Sequence, residues 1–160
     1  MGMSTDGMLV YGFDLGSYEH GEGWKFKELD GDGEPVFPWY TTGEDFVEAL
    51  ERALLATVHG FDPDRETYPD SQSYYRAEKA AKERLGLEVV RYGHIEYSGW
   101  ILAANTLTIH QSETRAINPH YLIYRPISSR WNNNLIHAVK DIGMSFENNW
   151  PSWLLTAETG

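Results

Sequence analysis

The stretch Leu87 to His110, LEVVRYGHIEYSGWILAANTLTIH, constrains the fold more than any other, because it is the longest run with strand chemistry and holds one obvious reversal. Two segments rich in Val, Ile, Thr, Tyr and Trp flank Ser98-Gly99, and a Ser-Gly pair supplies the positive φ that a two-residue hairpin turn requires. A long β-hairpin over 87–110 is expected, with the rest of the chain packed on it. With the turn at Ser98-Gly99, Tyr97 faces Trp100, Glu96 faces Ile101 and His94 faces Ala103. Tyr92, His94, Glu96 and Asn105 then share one face of the sheet.

A hairpin of that length needs apolar surface to lie against. Of the 160 residues 41% are hydrophobic and 14% aromatic, enough for one core that buries roughly 68–70% of the unfolded chain's surface at this size. One domain over 8–160 is expected, after a polar, frayed tail at Met1 to Gly7. Cysteine is absent, which excludes disulfides, thiolate zinc sites and cysteine nucleophiles and fits a reducing compartment. The amino end has no secretory h-region, and no apolar run approaches the ~20 residues that span a bilayer. A cytoplasmic setting without membrane attachment follows as the expectation.

In chain order, Met8 to Leu15 reads as a first strand, followed by a glycine-rich turn through Gly16, Gly21 and Gly23. Trp24 to Leu29 alternates apolar and polar as a half-buried strand does. Asp30 to Glu34 is a turn, and Val36 to Tyr40 a short edge strand limited by its prolines. The first helix is capped by Thr42, carries Phe46, Leu50 and Leu54 on one stripe, and stops at Gly60. A loop runs from Phe61 to Pro69. The second helix is capped by Asp70 or Ser71, carries Tyr74, Ala77, Ala81 and Leu85, and ends at Gly86; Arg76, Lys79, Lys82 and Arg84 form a solvated face with Glu78 and Glu83 as partners. After the hairpin, Tyr121 to Tyr124 reads as one more strand. A third helix begins near Ser129 with Trp131, Leu135, Val139 and Ile142 inward, and Asn149 to Leu155 docks as a last strand or strap. The fold class is α+β: a largely antiparallel sheet built around the hairpin, with about three helices packed on it.

Thirteen basic against 24 acidic residues give a formal charge of −11. A field of that sign repels a phosphate backbone, so direct nucleic-acid binding is disfavoured. The acidic surface serves solubility, and it would also suit a basic partner.

Several short segments, Tyr11-Gly12-Phe13-Asp14-Leu15-Gly16, Trp24-Lys25, Tyr97-Ser98-Gly99 leading into Ile101-Leu102-Ala103-Ala104, and Pro151-Ser152-Trp153-Leu154-Leu155, resemble those of a set of small acidic proteins of actinobacteria and their phages. That set has no assigned activity. The resemblance implies a source and a cytoplasmic setting, and carries no catalytic residues over.

The candidates for chemistry are few. Asp14-Leu15-Gly16 at a strand end is similar to the metal-holding Asp of RNase H-like and actin-like folds. His94 and Glu96, alternate residues of one strand, could act as base and orienter or as two metal ligands, with His110, Glu113 or His120 as a third. The polar connection His110 to His120 also holds Arg115 close to a strand end, where binding groups gather. Asp30-Gly31-Asp32-Gly33-Glu34 fails as a calcium loop, having Pro35 at the sixth position and Thr41 at the twelfth. No P-loop, nucleophile elbow, HExxH or dinucleotide fingerprint is present. Trp24, Trp100, Trp131, Trp150 and Trp153 suit core or docking positions, whereas Trp39, with Tyr40 beside it, is the tryptophan expected at the surface.

The reading that follows is a binding or accessory domain without a cofactor, meeting another protein through an acidic and aromatic surface, with Trp39, Tyr40, Tyr92, Asn105 and Arg115 as contact candidates. The alternative is a small metal-dependent hydrolase or nuclease built on Asp14 or on His94 and Glu96. The enzyme requires at least three of Asp14, His94, Glu96, His110, Glu113 and His120 in one pocket.

Overall fold

Four strands and four helices make up the computed structural model of the chain, which describes residues 5–17 and 23–159. Their order is β1 (Thr5–Gly16), α1 (Phe46–Ala56), α2 (Ser71–Leu85), β2 (Glu88–His94), β3 (Tyr97–Ile109), α3 (Pro119–Ser128), α4 (Trp131–Asp141) and β4 (Ser152–Thr159). The class is α+β and the pairing is largely antiparallel, as the pattern predicts. The sheet also closes on itself. β1 lies antiparallel between β3 and β4, β3 pairs with β2, and a short parallel contact of Gly93 with Glu158 and His94 with Thr159 joins β2 to β4. The closing seam is only these two pairs long, so Glu88 to Tyr92 of β2 and Ser152 to Ala157 of β4 are not paired with each other across it.

Strand alternation then sorts the apolar residues into two cores. Met8, Val10, Ile101 and Ala103, with Val90, Tyr92 and Leu154 beside them, fill the inside of the barrel. Tyr11, Phe13, Leu15 and Leu102 point outward and meet Phe46, Leu50 and Leu54 of α1, Leu135 and Val139 of α4, and the rings of Trp24, Phe26 and Phe37. Each such Leu or Phe contributes about 1.5–3 kcal/mol by leaving water, so the outer core carries most of the stability. Gly12 sits at a register shift of β1, where an added Cβ would stand 2.0 Å from the Leu102 carbonyl oxygen; no other residue fits there.

The hairpin forms, but not with the expected turn. Its reversal is Ile95-Glu96, and the register pairs His94 with Tyr97, Gly93 with Ser98 and Tyr92 with Gly99. The positive φ comes from Gly93, at +83°, just ahead of the turn. Gly99 is needed inside the strand instead, because the Tyr92 ring lies across it. The face predicted for Tyr92, His94, Glu96 and Asn105 is therefore not formed: Tyr92 points into the barrel, Glu96 is in the turn, and the Asn105 side chain reaches the Tyr121 hydroxyl of α3 at 3.3 Å.

Other expectations need correction too. β1 begins at Thr5, so Thr5 to Gly7 of the supposed tail pair with β4. Trp24 to Leu29 makes only isolated bridges, through Trp24, Phe26 and Leu29, and Val36 to Tyr40 is a turn without a ladder. In both segments the aromatic spacing serves to insert rings under α1 rather than to pair strands. Gly21 lies outside the described residues. Asp45, not Thr42, caps α1, its carboxylate accepting the Glu48 N–H at 3.0 Å, and the helix ends at Ala56, before Gly60. α2 keeps its predicted cap at Asp70 and its left-handed stop at Gly86, after a 3-10 turn at Arg65–Thr67 in the preceding loop. Tyr121 to Tyr124 is helix, not strand: Asn118 caps α3 by accepting the His120 N–H, and Pro119 takes the first position, where its missing N–H costs nothing.

Candidate binding surface

The six residues of which an enzyme would have to gather at least three lie in separate parts of the fold. Asp14 stands at the barrel mouth, where one carboxylate oxygen accepts the Gly16 N–H at 3.0 Å and the Tyr92 hydroxyl at 2.9 Å and the other holds the Lys25 ammonium at 2.7 Å. Three of its acceptor sites are thus used to brace the β1 end. His94 precedes the hairpin turn and Glu96 lies in it, its backbone N–H donating to His94 Nδ1 at 3.2 Å. His110 and Glu113 sit at the end of β3, the Glu113 carboxylate accepting the His110 backbone N–H. His120 lies on α3 with its ring stacked on Tyr124, 5.8 Å between centroids. Among the described residues, no three of His, Asp and Glu converge as metal ligands would.

The His110 ring adds one electrostatic contact. Its Nδ1 is 3.0 Å from Asp6 Oδ1, an oxygen shut off from solvent with no hydrogen-bond donor unless that nitrogen carries its proton. The bond to Asp6, then its charge and that of Glu113, hold the imidazole above its ordinary pKa.

Of the aromatic candidates, Trp39 is an anchor rather than an exposed ring. It stacks on Phe37 with centroids 4.5 Å apart, and its Nε1 donates to the Ile142 carbonyl at 2.7 Å. Tyr40 lies at the edge of the same cluster, edge-on to Phe46. Burial, followed by the charge of Glu34, pushes its phenol up. Trp150, expected to be buried or docked, is 56% exposed, and Arg115 stands on the exposed connection before α3.

The surface that the sequence reading missed is α3. His120, Ile123, Tyr124 and Ile127 follow the i, i+3, i+4, i+7 spacing of a helix's apolar stripe, yet the stripe faces away from the core. Ile123, Tyr124 and Ile127 are 61%, 60% and 67% exposed, and Pro126 is the helix's one buried residue. The chain carries no Asp or Glu between Glu113 and Asp141, while Arg115, Arg125, Arg130 and Lys140 fall there. On a protein of charge −11, this ridge is locally basic. Asn118-Pro119 before a four-residue apolar repeat was the signal that could have found it.

Besides the Asn105 bond to Tyr121, a polar exchange with β4 holds so exposed a helix in place. Pro126 has no N–H to give the Leu122 carbonyl one turn back. Trp153 of β4 supplies it, its Nε1 donating to Leu122 O at 2.8 Å. Tyr121 packs against the Trp131 and Trp153 rings, which also meet each other. Beyond Trp153 on the same outer face, Leu155 is 85% exposed and lies in one cross-strand row with Leu9 and Leu107. The ridge is thus seated beside a second apolar row, of which Leu155 is exposed and Leu9 and Leu107 are half-buried.

No family model, curated protein or solved structure matches the chain. Among the described residues no helix is long and apolar enough to cross a membrane.

Proposed function

We propose that this domain works by binding another protein, and that α3 is the contact. The observation that carries the reading is the outward apolar stripe of Ile123, Tyr124 and Ile127, on a helix pinned to the barrel through Trp153. Monomeric domains seldom leave a helix's apolar face to water, and a rigid helix presenting anchors at i, i+3, i+4 and i+7 is a recurrent way of filling a partner's groove. The basic flank of Arg115, Arg125 and Arg130 suits a groove bordered by carboxylates, and it restricts the contact to that side of an otherwise acidic molecule.

The test is affinity capture from cells that make the protein, using three forms: wild type, Ile123→Asp with Ile127→Asp, and Val36→Asp as a control at an exposed site elsewhere. A protein retained by wild type and control, lost from the double variant and released by raised salt, supports the reading. Equal retention by all three forms, or no retention by any, overturns it.

A further inference from the structure

The domain has a second recognition feature, independent of α3. A cleft of about 510 Å³ opens where α1, the end of α2 and the β2–β3 hairpin meet. Leu54, Leu87, Val89 and Ala104 supply apolar lining, and Leu54 and Leu87 are almost fully removed from water. Volume and lining are those of a site for a small organic molecule. What distinguishes the cleft is its polar groups, the carboxylates of Glu51, Glu83 and Glu88 against the single ammonium of Lys82. Lys82 is drawn back along its own helix to Glu78, at 3.2 Å.

Glu51 is the informative member. It is partly buried on α1, and no hydrogen-bond donor reaches its carboxylate among the described residues. Its oxygens stay open to water at the cleft, and a bound ammonium would replace that water with a charge-assisted hydrogen bond. Burial raises its pKa against the opposing field of Lys82. A ligand that brings its own positive donor and an apolar body answers both features of the cleft; an anionic ligand meets three carboxylates.

We propose that the cleft binds a small alkyl- or arylammonium ion, with the ammonium on Glu51 and the apolar body against Leu54, Leu87 and Val89. The experiment is a titration of the full chain with hexylammonium, hexan-1-ol and hexanoate, each read from the backbone amide NMR signals of Gly86, Val89 and Ala104. Hexylammonium is expected to bind most tightly, the alcohol more weakly and the carboxylate least. Glu51→Gln, which keeps the shape of the side chain, should cost about tenfold in hexylammonium affinity, as loss of one charge-assisted hydrogen bond does, and leave the alcohol unchanged. Three results would overturn the proposal: hexanoate binding as well as hexylammonium, no effect of Glu51→Gln, or no shift of the cleft amides by any probe. Because Ile123 and Ile127 are untouched, this outcome is separate from that of the capture experiment.

Discussion

Trp153 gives the Leu122 carbonyl the hydrogen bond that Pro126 denies it, so a side chain of β4 completes the backbone ladder of α3. Trp153→Phe keeps the ring contacts with Tyr11 and Tyr121 but strands the carbonyl, at a cost of about 1–3 kcal/mol. Adding Pro126→Ala returns an N–H to the helix and should recover part of that loss, which a double-mutant cycle by chemical denaturation measures. Additive effects of the two substitutions would show that the carbonyl is not their shared partner.

Tyr92 and Gly99 form the second tight pair. A Cβ at Gly99 would fall 2.2 Å from Tyr92 Cζ, so Gly99→Ala must displace the ring and, with it, the hydroxyl bond to Asp14. Overpacking of this kind costs about 1–3 kcal/mol, whereas Tyr92→Phe, which loses the hydroxyl alone, costs about 1 kcal/mol. Urea midpoints of the two variants check the order, and a Gly99→Ala protein as stable as wild type would contradict the register.

Glu51 should destabilise the fold at neutral pH. Its folded pKa is raised by burial, with Lys82 opposing and Glu78, Glu48 and Asp45 adding to the rise. Between the ordinary carboxylate value and the raised one the native state binds more protons than the unfolded state, so stability falls as pH climbs through that window. Glu51→Gln is therefore expected to melt ~1–2 °C above wild type near pH 7.5 and to converge with it near pH 4. A variant that melts lower at neutral pH would mean that the pull of Lys82 outweighs the cost of burial.

The contact of His110 with Asp6 has the opposite sign. A histidine held above its ordinary pKa contributes stability that is fully present below the unfolded value and lost as pH rises through the folded one. The melting temperature of wild type should exceed that of His110→Gln near pH 5.5, and the difference should vanish near pH 8.5. A difference that does not change with pH would exclude the ion pair.

Local chemistry made much of the fold legible. Asp70 and Gly86 mark the ends of α2 because a cap and a left-handed stop act within a few residues, and the stripe of Leu135, Val139 and Ile142 finds its core for the same reason. The hairpin was legible as a hairpin but not in register: Ser98-Gly99 looks like a turn until the Tyr92 ring, which needs Gly99 beneath it, is in place. Trp24 to Leu29 alternates like a strand because its rings fill a gap under α1, and nothing local distinguishes the two uses. α3 was missed because Tyr121-Leu122-Ile123-Tyr124 has strand composition and Pro126 speaks against helix, while the group that compensates for the proline lies on β4. Of the contact candidates, only Asn105 and Arg115 fall beside α3 or on its approach; Trp39 and Tyr92 brace the interior.

Beyond the bridge of Gly16 to Trp24 at its end, β1 pairs only with strands far from it in the chain. Gly7 meets Ile109 on one side and Ala157 on the other, so no turn can deliver this strand to either neighbour. The hairpin of β2 and β3 assembles through a two-residue turn and α1 meets α2 across residues 57–70, whereas β1 slots between β3 and β4 only after most of the chain has been drawn together. Until it does, β3 and β4 each present an open ladder. Refolding at high concentration therefore sets the closing of the barrel against the joining of those ladders between molecules, and β1 is the element on which that race turns.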